Sequence, residues 1–139
     1  MVVVPARTVK INVKNIPRLI FLWLPVILWA AFIFYGSSLP GDEIPKIDVP
    51  LADKLYHFAE YLILGFLLMK ALINSEINID LAKLTVLSII IAAVYAASDE
   101  WHQFYVSQRT PDIIDLIVDL TGICAGVFLY RKRGASCPK

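Results

Sequence analysis

Three groups of polar residues have the types and spacing that acid–base chemistry needs. In the first group, Asp53, His57 and Glu60 are four and three residues apart, so a helix would place them on one face. Carboxyl groups beside a histidine can donate and accept protons, and a carboxylate can activate water for hydrolysis. The same spacings recur in a second group, Asp99, Glu100 and Gln103, and in a third, Asp112, Asp115 and Asp119.

The composition indicates what kind of structure must position these groups. Of the 139 residues, 58% are hydrophobic and 18% are charged, with a mean hydropathy of +0.68. Soluble domains average about 45–50% apolar residues, and one of this length has too little interior for so much apolar surface. The same values exclude a disordered chain, and a net charge of +1 without a basic face argues against nucleic-acid binding. We therefore predict an integral membrane protein.

Four apolar segments are long enough to cross a membrane as helices. The first, 19–35, has 17 residues, which is longer than the hydrophobic region of a cleaved signal peptide. Because backbone polar groups must be satisfied within lipid, we predict an all-α bundle of four transmembrane helices. The other spans are 51–73, 81–104 and 112–130, and the predicted divisions are a basic N-terminal segment 1–17, a transmembrane domain 18–133 and a tail 134–139.

The fourth span carries signals for its start and for its packing. Thr110 is predicted to cap the helix, Pro111 to occupy its first position, and Asp112 to favour the positive end of the helix dipole. Gly122 and Gly126 are four residues apart, a small-xxx-small pattern that lets another helix approach closely. These glycines continue the stripe of aspartates, so the stripe is predicted to face other helices rather than lipid.

The distribution of Lys and Arg predicts the orientation in the membrane. If the loops alternate between the two sides, ten of these residues lie on the side of the termini and three lie on the other. The positive-inside rule then places both termini in the cytoplasm and the protein in the cell membrane. Cys137 would lie in the reducing cytoplasm and Cys124 within a span, so no disulfide is expected.

This topology places all three polar groups in the outer half of the bundle. An ionisable side chain at the membrane centre costs on the order of 3 kcal/mol on insertion scales, so these side chains are expected to face other helices. Asp119 lies seven residues beyond Asp112, about 10 Å deeper along a helix. We expect the groups to converge in an outward-opening pocket, with Lys54 and Asp112 nearer the surface.

A purely structural interpretation of these residues stays open. Glu60, Asp115 and Asp119 could pair with Arg109 and hold the bundle together. Against it, one arginine cannot neutralise so many acids, and apolar side chains would pack at less cost. In a functional pocket, Arg109 would fold inward as a lid and counter-charge.

Two segments together resemble the VanZ-like family of membrane proteins. DKLYHFAEYLILG at 53–65 matches the pattern D-K-x-x-H-x-x-E-Y-x-x-L-G. SDEWHQFYVSQRTPDIIDLIVDLTGICAG at 98–126 matches D-E-x-x-Q, then an Arg, then D-x-x-x-[ND]-x-x-G-x-x-x-G. The joint spacing of the two patterns makes the resemblance specific. Members often have Pro-Gly before the Arg, where this chain has Ser107 and Gln108.

The resemblance implies a compact four-helix membrane protein and, through the family's name, a contribution to resistance against glycopeptide antibiotics such as teicoplanin. It also implies structural roles for Gly122 and Gly126. The candidate ligand-binding residues are Asp53, Lys54 and Arg109. The candidate catalytic residues are His57, Glu60, Asp99, Glu100, Gln103, Arg109, Asp115 and Asp119.

Three functions fit these expectations. The first is binding of a membrane lipid or a lipid-linked cell-wall glycan, which the protein would shield or sequester. The second is an intramembrane hydrolase or transferase of such a lipid, with carboxylates and His57 as acid–base groups and Arg109 as a phosphate clamp. The third is a proton- or cation-coupled transporter, although the apolar inner halves of the spans offer no exit path.

No cofactor or metal site is predicted. The sequence has no H-x-x-x-H or C-x-x-C pair of the kind that zinc sites use. A divalent metal ion is the alternative, because oxygen-rich groups suit Mg²⁺, Ca²⁺ or Mn²⁺ and a single histidine does not exclude Mn²⁺.

The predicted orientation can be checked by cysteine labelling. Because the C-terminal tail is predicted to be cytoplasmic, a membrane-impermeant thiol reagent added to intact cells should leave Cys137 unlabelled. The same reagent should label Cys137 after the membrane is permeabilised. Labelling from outside intact cells would overturn the topology and, with it, the outward-opening pocket.

Overall fold

A computed structural model describes residues 16–43, 51–75 and 77–135, with side chains up to 133 in the last range. These residues form four helices and no strands, which confirms the predicted all-α fold. Each helix is long and apolar enough to cross a membrane. The predicted segment 1–17 and tail 134–139 lie almost entirely outside the described residues. The helices are α1 Ile16–Ser37, α2 Ala52–Asn74, α3 Leu81–Gln103 and α4 Ile113–Ala135.

Helices α2 and α3 each contact the other three helices, and the most extensive contact in the bundle is between α2 and α4. Both α1 and α4 contact α2 and α3 and, among the described residues, do not contact each other. The core is apolar and includes the fully buried side chains of Tyr61, Met69 and Ile123. Large apolar side chains also cover the outside of the bundle, where Phe21 is 83% exposed, as expected for a surface that faces lipid.

Glycines bring the backbones of α2 and α4 into contact. A methyl group at Gly122 would lie 2.5 Å from the carbonyl oxygen of Phe58, and one at Gly126 would overlap the carbonyl oxygen of Leu62. From the other side, a methyl group at Gly65 would lie 2.6 Å from the carbonyl oxygen of Ile123. The predicted close approach at Gly122 and Gly126 is therefore confirmed, and α2 is the helix that approaches them.

The start of α4 differs from the prediction. Thr110 was expected to cap the helix, but Asp112 does so, since its Oδ1 accepts a hydrogen bond from the N–H of Ile114 at 2.9 Å. Pro111 therefore precedes the cap instead of occupying the first helical position. Asp112 directly precedes α4, so its side chain is closer than that of Thr110 to the free N–H groups of the first turn. Its carboxylate also interacts favourably with the positive end of the helix dipole.

The glycine contacts predict a large effect of a single methyl group. Gly126→Ala should destabilise the folded protein by about 2 kcal/mol or more, because the new Cβ meets backbone atoms that cannot rotate away. Gly36→Ala is the matched control, since nothing lies within 4 Å of a Cβ at Gly36. Its effect should stay within about 1 kcal/mol, in the stabilising direction typical of alanine in a helix. Unfolding midpoints in detergent micelles measure both, and a Gly126→Ala protein as stable as the wild type would contradict this packing.

Candidate functional site

The polar residues meet at one end of the bundle, which we call the polar end. It is formed by the C-terminal ends of α1 and α3 and the N-terminal ends of α2 and α4. Spacings of three residues place Lys54, His57 and Glu60 along neighbouring faces of the first turns of α2. The structure brings these side chains close to residues from all three other helices.

Lys54 forms ion pairs with three carboxylates at the polar end. Its Nζ lies 3.0 Å from Asp112 Oδ2 and 3.3 Å from Asp53 Oδ2, and it bonds most closely to Asp115 Oδ1. The Lys54 side chain is 19% exposed, against 1% for Asp119, so it lies nearer the surface, with carboxylates rather than water around its ammonium group. Three carboxylates share its charge, which makes removal from water tolerable for the ammonium group.

Asp112 joins this cation to the start of α4. The backbone N–H of Ile114 and the Lys54 ammonium hold the pKa of Asp112 below its usual value. Its own N–H donates to Glu100 Oε2 at 3.3 Å, which connects the loop to α3. Asp112 therefore stays ionised and positions the second and third polar groups relative to each other.

One turn deeper, His57 and Asp119 form a buried pair. His57 Nδ1 lies 3.0 Å from Asp119 Oδ1, and Asp119 is 1% exposed. Glu100 completes a group in which one potential ligand atom from each residue lies within 4.8 Å of the others. Asp119 Oδ2 and Glu100 Oε1 are buried and have no hydrogen-bond partner among the described residues.

A second buried carboxylate, Asp99, lies against α1. Ser37 Oγ donates to Asp99 Oδ2 at 2.7 Å, and Gln103 Nε2 approaches the same oxygen at 3.5 Å. The fully buried hydroxyl of Tyr61 has no hydrogen-bond partner among the described residues. Sequence reasoning missed Ser37 and Tyr61 as members of the site. The signals available were a hydroxyl at the end of the first span and the Tyr beside Glu60 in the family pattern.

Arg109 bonds to backbone rather than to acids. Its Nε donates to the carbonyl oxygen of Leu39 at 3.2 Å and its Nη2 to that of Gly36 at 3.0 Å. The guanidinium therefore satisfies carbonyl groups at the C-terminal end of α1, a favourable place for a cation. The residue before it, Gln108, has φ 57°, so this chain keeps a left-handed turn where family members often have glycine.

This pairing differs from the structural network that was considered as an alternative. In that alternative network, Arg109 would pair with Glu60, Asp115 and Asp119. Instead Asp115 pairs with Lys54 and Asp119 with His57. The carboxylate of Glu60 has no side-chain hydrogen bond or ion pair within the part of the chain that the structure describes, although His57 and Arg109 both act on it electrostatically.

Glu60 and Arg109 line a pocket of about 410 Å³ between α1, α2 and the α3–α4 loop. One part of its wall is polar and another is apolar. On the far side of the buried pair, Glu100 lines an apolar groove of about 350 Å³ with Trp101 and Phe104. The polar wall of the pocket includes Asp53, His57, Glu60, Gln103 and Arg109, and the apolar wall includes Phe32, Leu39 and Tyr56.

Comparison with known proteins identifies one related family. A family model described as VanZ/LLP1 matches residues 21–134, which is most of the chain. The match begins within α1 and ends in the last turn of α4, and it includes both segments that carry the polar groups. No curated protein and no solved structure matches the chain.

The three-carboxylate contact of Lys54 predicts a specific loss of stability. Lys54→Gln should lower the free energy of unfolding by about 2 kcal/mol, because it leaves clustered, partly buried carboxylates without their cation. Lys83→Gln is the matched control. Lys83 pairs with Asp80, but its side chain is 74% exposed, so the change should cost under about 0.5 kcal/mol. Denaturation in micelles compares the two, and equal losses would show that the Lys54 contacts are not important for stability.

Proposed function

This chain belongs to the VanZ/LLP1 family of membrane proteins, and we propose that it binds the head group of a cell-envelope lipid or lipid-linked glycan in the pocket at its polar end. The observation that carries the proposal is the carboxylate of Glu60, which shares the pocket with Arg109 and has no protein partner among the described residues. A carboxylate held apart from its neighbours is ready to accept hydrogen bonds from a ligand.

The two walls of the pocket suit an amphipathic ligand. Phe32, Leu39 and Tyr56 offer contact to an acyl or isoprenoid chain near the head group. The volume, about 410 Å³, is in the range of small-ligand sites and matches a head group rather than a whole glycolipid. The Lys and Arg distribution predicts that this end of the bundle lies outside the cytoplasm, where lipid-linked cell-wall intermediates are exposed.

We assign parts of the head group to separate residues according to the charge and hydrogen-bonding groups of each side chain. Arg109 uses two of its five guanidinium N–H groups on backbone carbonyls, so the others can bind a phosphate. Glu60 and Gln103 would accept hydrogen bonds from the hydroxyl groups of a sugar. A protein that holds a cell-wall precursor in this way would withdraw it from a glycopeptide antibiotic, and resistance would follow from binding without turnover.

An intramembrane hydrolase or transferase is the second candidate, and one observation favours it. The His57–Asp119 pair lies one turn from Glu60, and a buried aspartate that orients a histidine is a common arrangement in acid–base catalysis. A bound head group would lie against both. Transport finds less support, since the buried side chains of α2 and α4 beyond the site, such as Leu68 and Val127, are apolar.

Binding measurements with two probes test the first candidate. Purified protein in nanodiscs should bind a polyprenyl-diphosphate-linked sugar and, less tightly, a polyprenyl phosphate. Glu60→Gln should weaken binding of the sugar-bearing probe by about tenfold or more, through the loss of a charge-assisted hydrogen bond. It should leave polyprenyl phosphate binding nearly unchanged, whereas Arg109→Gln should weaken both.

Glu43→Gln is the matched control, because Glu43 is exposed in the loop after α1 and does not line the pocket. Wild-type affinity in both the Glu60 and the Arg109 variants would contradict the proposal. The same samples, assayed for inorganic phosphate or a soluble sugar product, separate the two candidates. Product that disappears in Glu60→Gln would assign the enzyme.

A further inference from the structure

We infer that His57, Glu100 and Asp119 bind a divalent transition-metal ion, with Mn²⁺ the best match. The three residues come from α2, α3 and α4, and one ligand atom from each lies within 4.8 Å of the others. This inference does not depend on lipid binding, because the three side chains form the group without any contribution from Glu60 or Arg109.

Unpartnered oxygens in the group are the second observation that points to a ligand. Asp119 is 1% exposed and Glu100 is 8% exposed, yet Asp119 Oδ2 and Glu100 Oε1 have no hydrogen-bond partner among the described residues. A buried carboxylate oxygen without a partner loses its hydration and gains nothing in return. A cation that Asp119 binds through both carboxylate oxygens and Glu100 binds through Oε1 would supply the missing interaction at both residues.

The charge balance favours a dication. Lys54 is already shared by Asp53, Asp112 and Asp115, so it contributes little to the deeper group. Two ionised carboxylates and a neutral histidine carry two negative charges, which one divalent ion neutralises. Neutralisation matters here because uncompensated charge within a membrane-spanning segment is costly.

The spacing of His57 and Asp119 fits two ligands of one ion. Two donors that each lie about 2.1 Å from a metal, at a right angle, are about 3.0 Å apart. The distance between His57 Nδ1 and Asp119 Oδ1 is 3.0 Å. An ion bound to both atoms would replace the hydrogen bond between them, with the single proton of the neutral imidazole carried on Nε2.

The ligand types select among divalent ions. Carboxylate oxygens suit Mg²⁺, Ca²⁺ and Mn²⁺, whereas imidazole suits transition metals, and Mn²⁺ accepts both. Zn²⁺ also accepts three protein ligands of this kind with water in an open position. The remaining oxygen of Glu100 accepts the N–H of Asp112, which would orient this carboxylate toward the ion.

Two cavities adjoin the metal-binding residues. His57 lines the pocket at the polar end and Glu100 lines the apolar groove. An ion held by these residues would supply a Lewis acid beside the pocket.

Titration of the metal alone into the wild-type protein tests the site. The full chain in micelles, freed of metal with a chelator, should bind one Mn²⁺ per chain, seen as loss of the electron paramagnetic resonance signal of free Mn²⁺. Binding should raise the unfolding temperature, since the ion binds only the folded state. Zn²⁺ should compete with Mn²⁺ for the same single binding site on each chain.

Variants locate the ion. Glu100→Gln and Asp119→Asn should each weaken Mn²⁺ binding at least tenfold, while Glu43→Gln, the matched control in the exposed loop after α1, should change it less than threefold. If the Asp119→Asn protein fails to fold, the Glu100→Gln protein and the wild-type titration still test whether the metal site exists. Absence of stoichiometric binding of either metal to the wild type, or wild-type affinity in the folded Glu100→Gln protein, would overturn the inference.

Discussion

The close parallel packing of α2 and α4 determines most of what this molecule can do. Gly65, Gly122 and Gly126 let the two backbones touch, and this contact holds the helices in one register. The register places Lys54 beside Asp115 and, one turn deeper, His57 beside Asp119. A slip by one helical turn, about 5.4 Å, would break both pairs at once. The glycines therefore act on the polar end although they lie deeper in the bundle.

The polar end separates its charges into two layers. Near the surface, one ammonium group is shared by three carboxylates, and water can still reach Asp53 and Asp112. Deeper in the bundle, a histidine replaces the lysine and the carboxylates are almost fully buried. Since charge costs more with depth in a membrane, the deeper layer has the greater need for a ligand that supplies positive charge or hydrogen-bond donors. The pocket and the groove give access to that layer from two sides.

The fold and the meeting of the polar groups could be predicted because both follow from simple constraints. Apolar length identifies the spans, and the cost of charge in lipid turns Asp115 and Asp119 inward. Which acid meets which base could not be predicted, because that depends on the register of α2 against α4. The sequence indicates that Lys54 lies near the surface, but not that acids at the start of α4 share its ammonium group. Arg109 was expected to face acids, and its bonds to α1 carbonyls depend on how the loop folds.

The division of the site between α2 and α4 has a consequence for how the protein is made. Lys54 and Asp115 are 61 residues apart, so a ribosome adding about 5–20 residues per second needs roughly 3 to 12 s between them. During that time α2 is already available to the bilayer, while the acids that balance its lysine have not been synthesised. Because Lys54 lies in the first turn of α2, its ammonium group can remain among the lipid head groups until α4 is inserted. Helix α4 would then complete the bundle by packing against α2 as closely as the glycines of both helices allow. Insertion of this last helix is the step that buries the charged side chains.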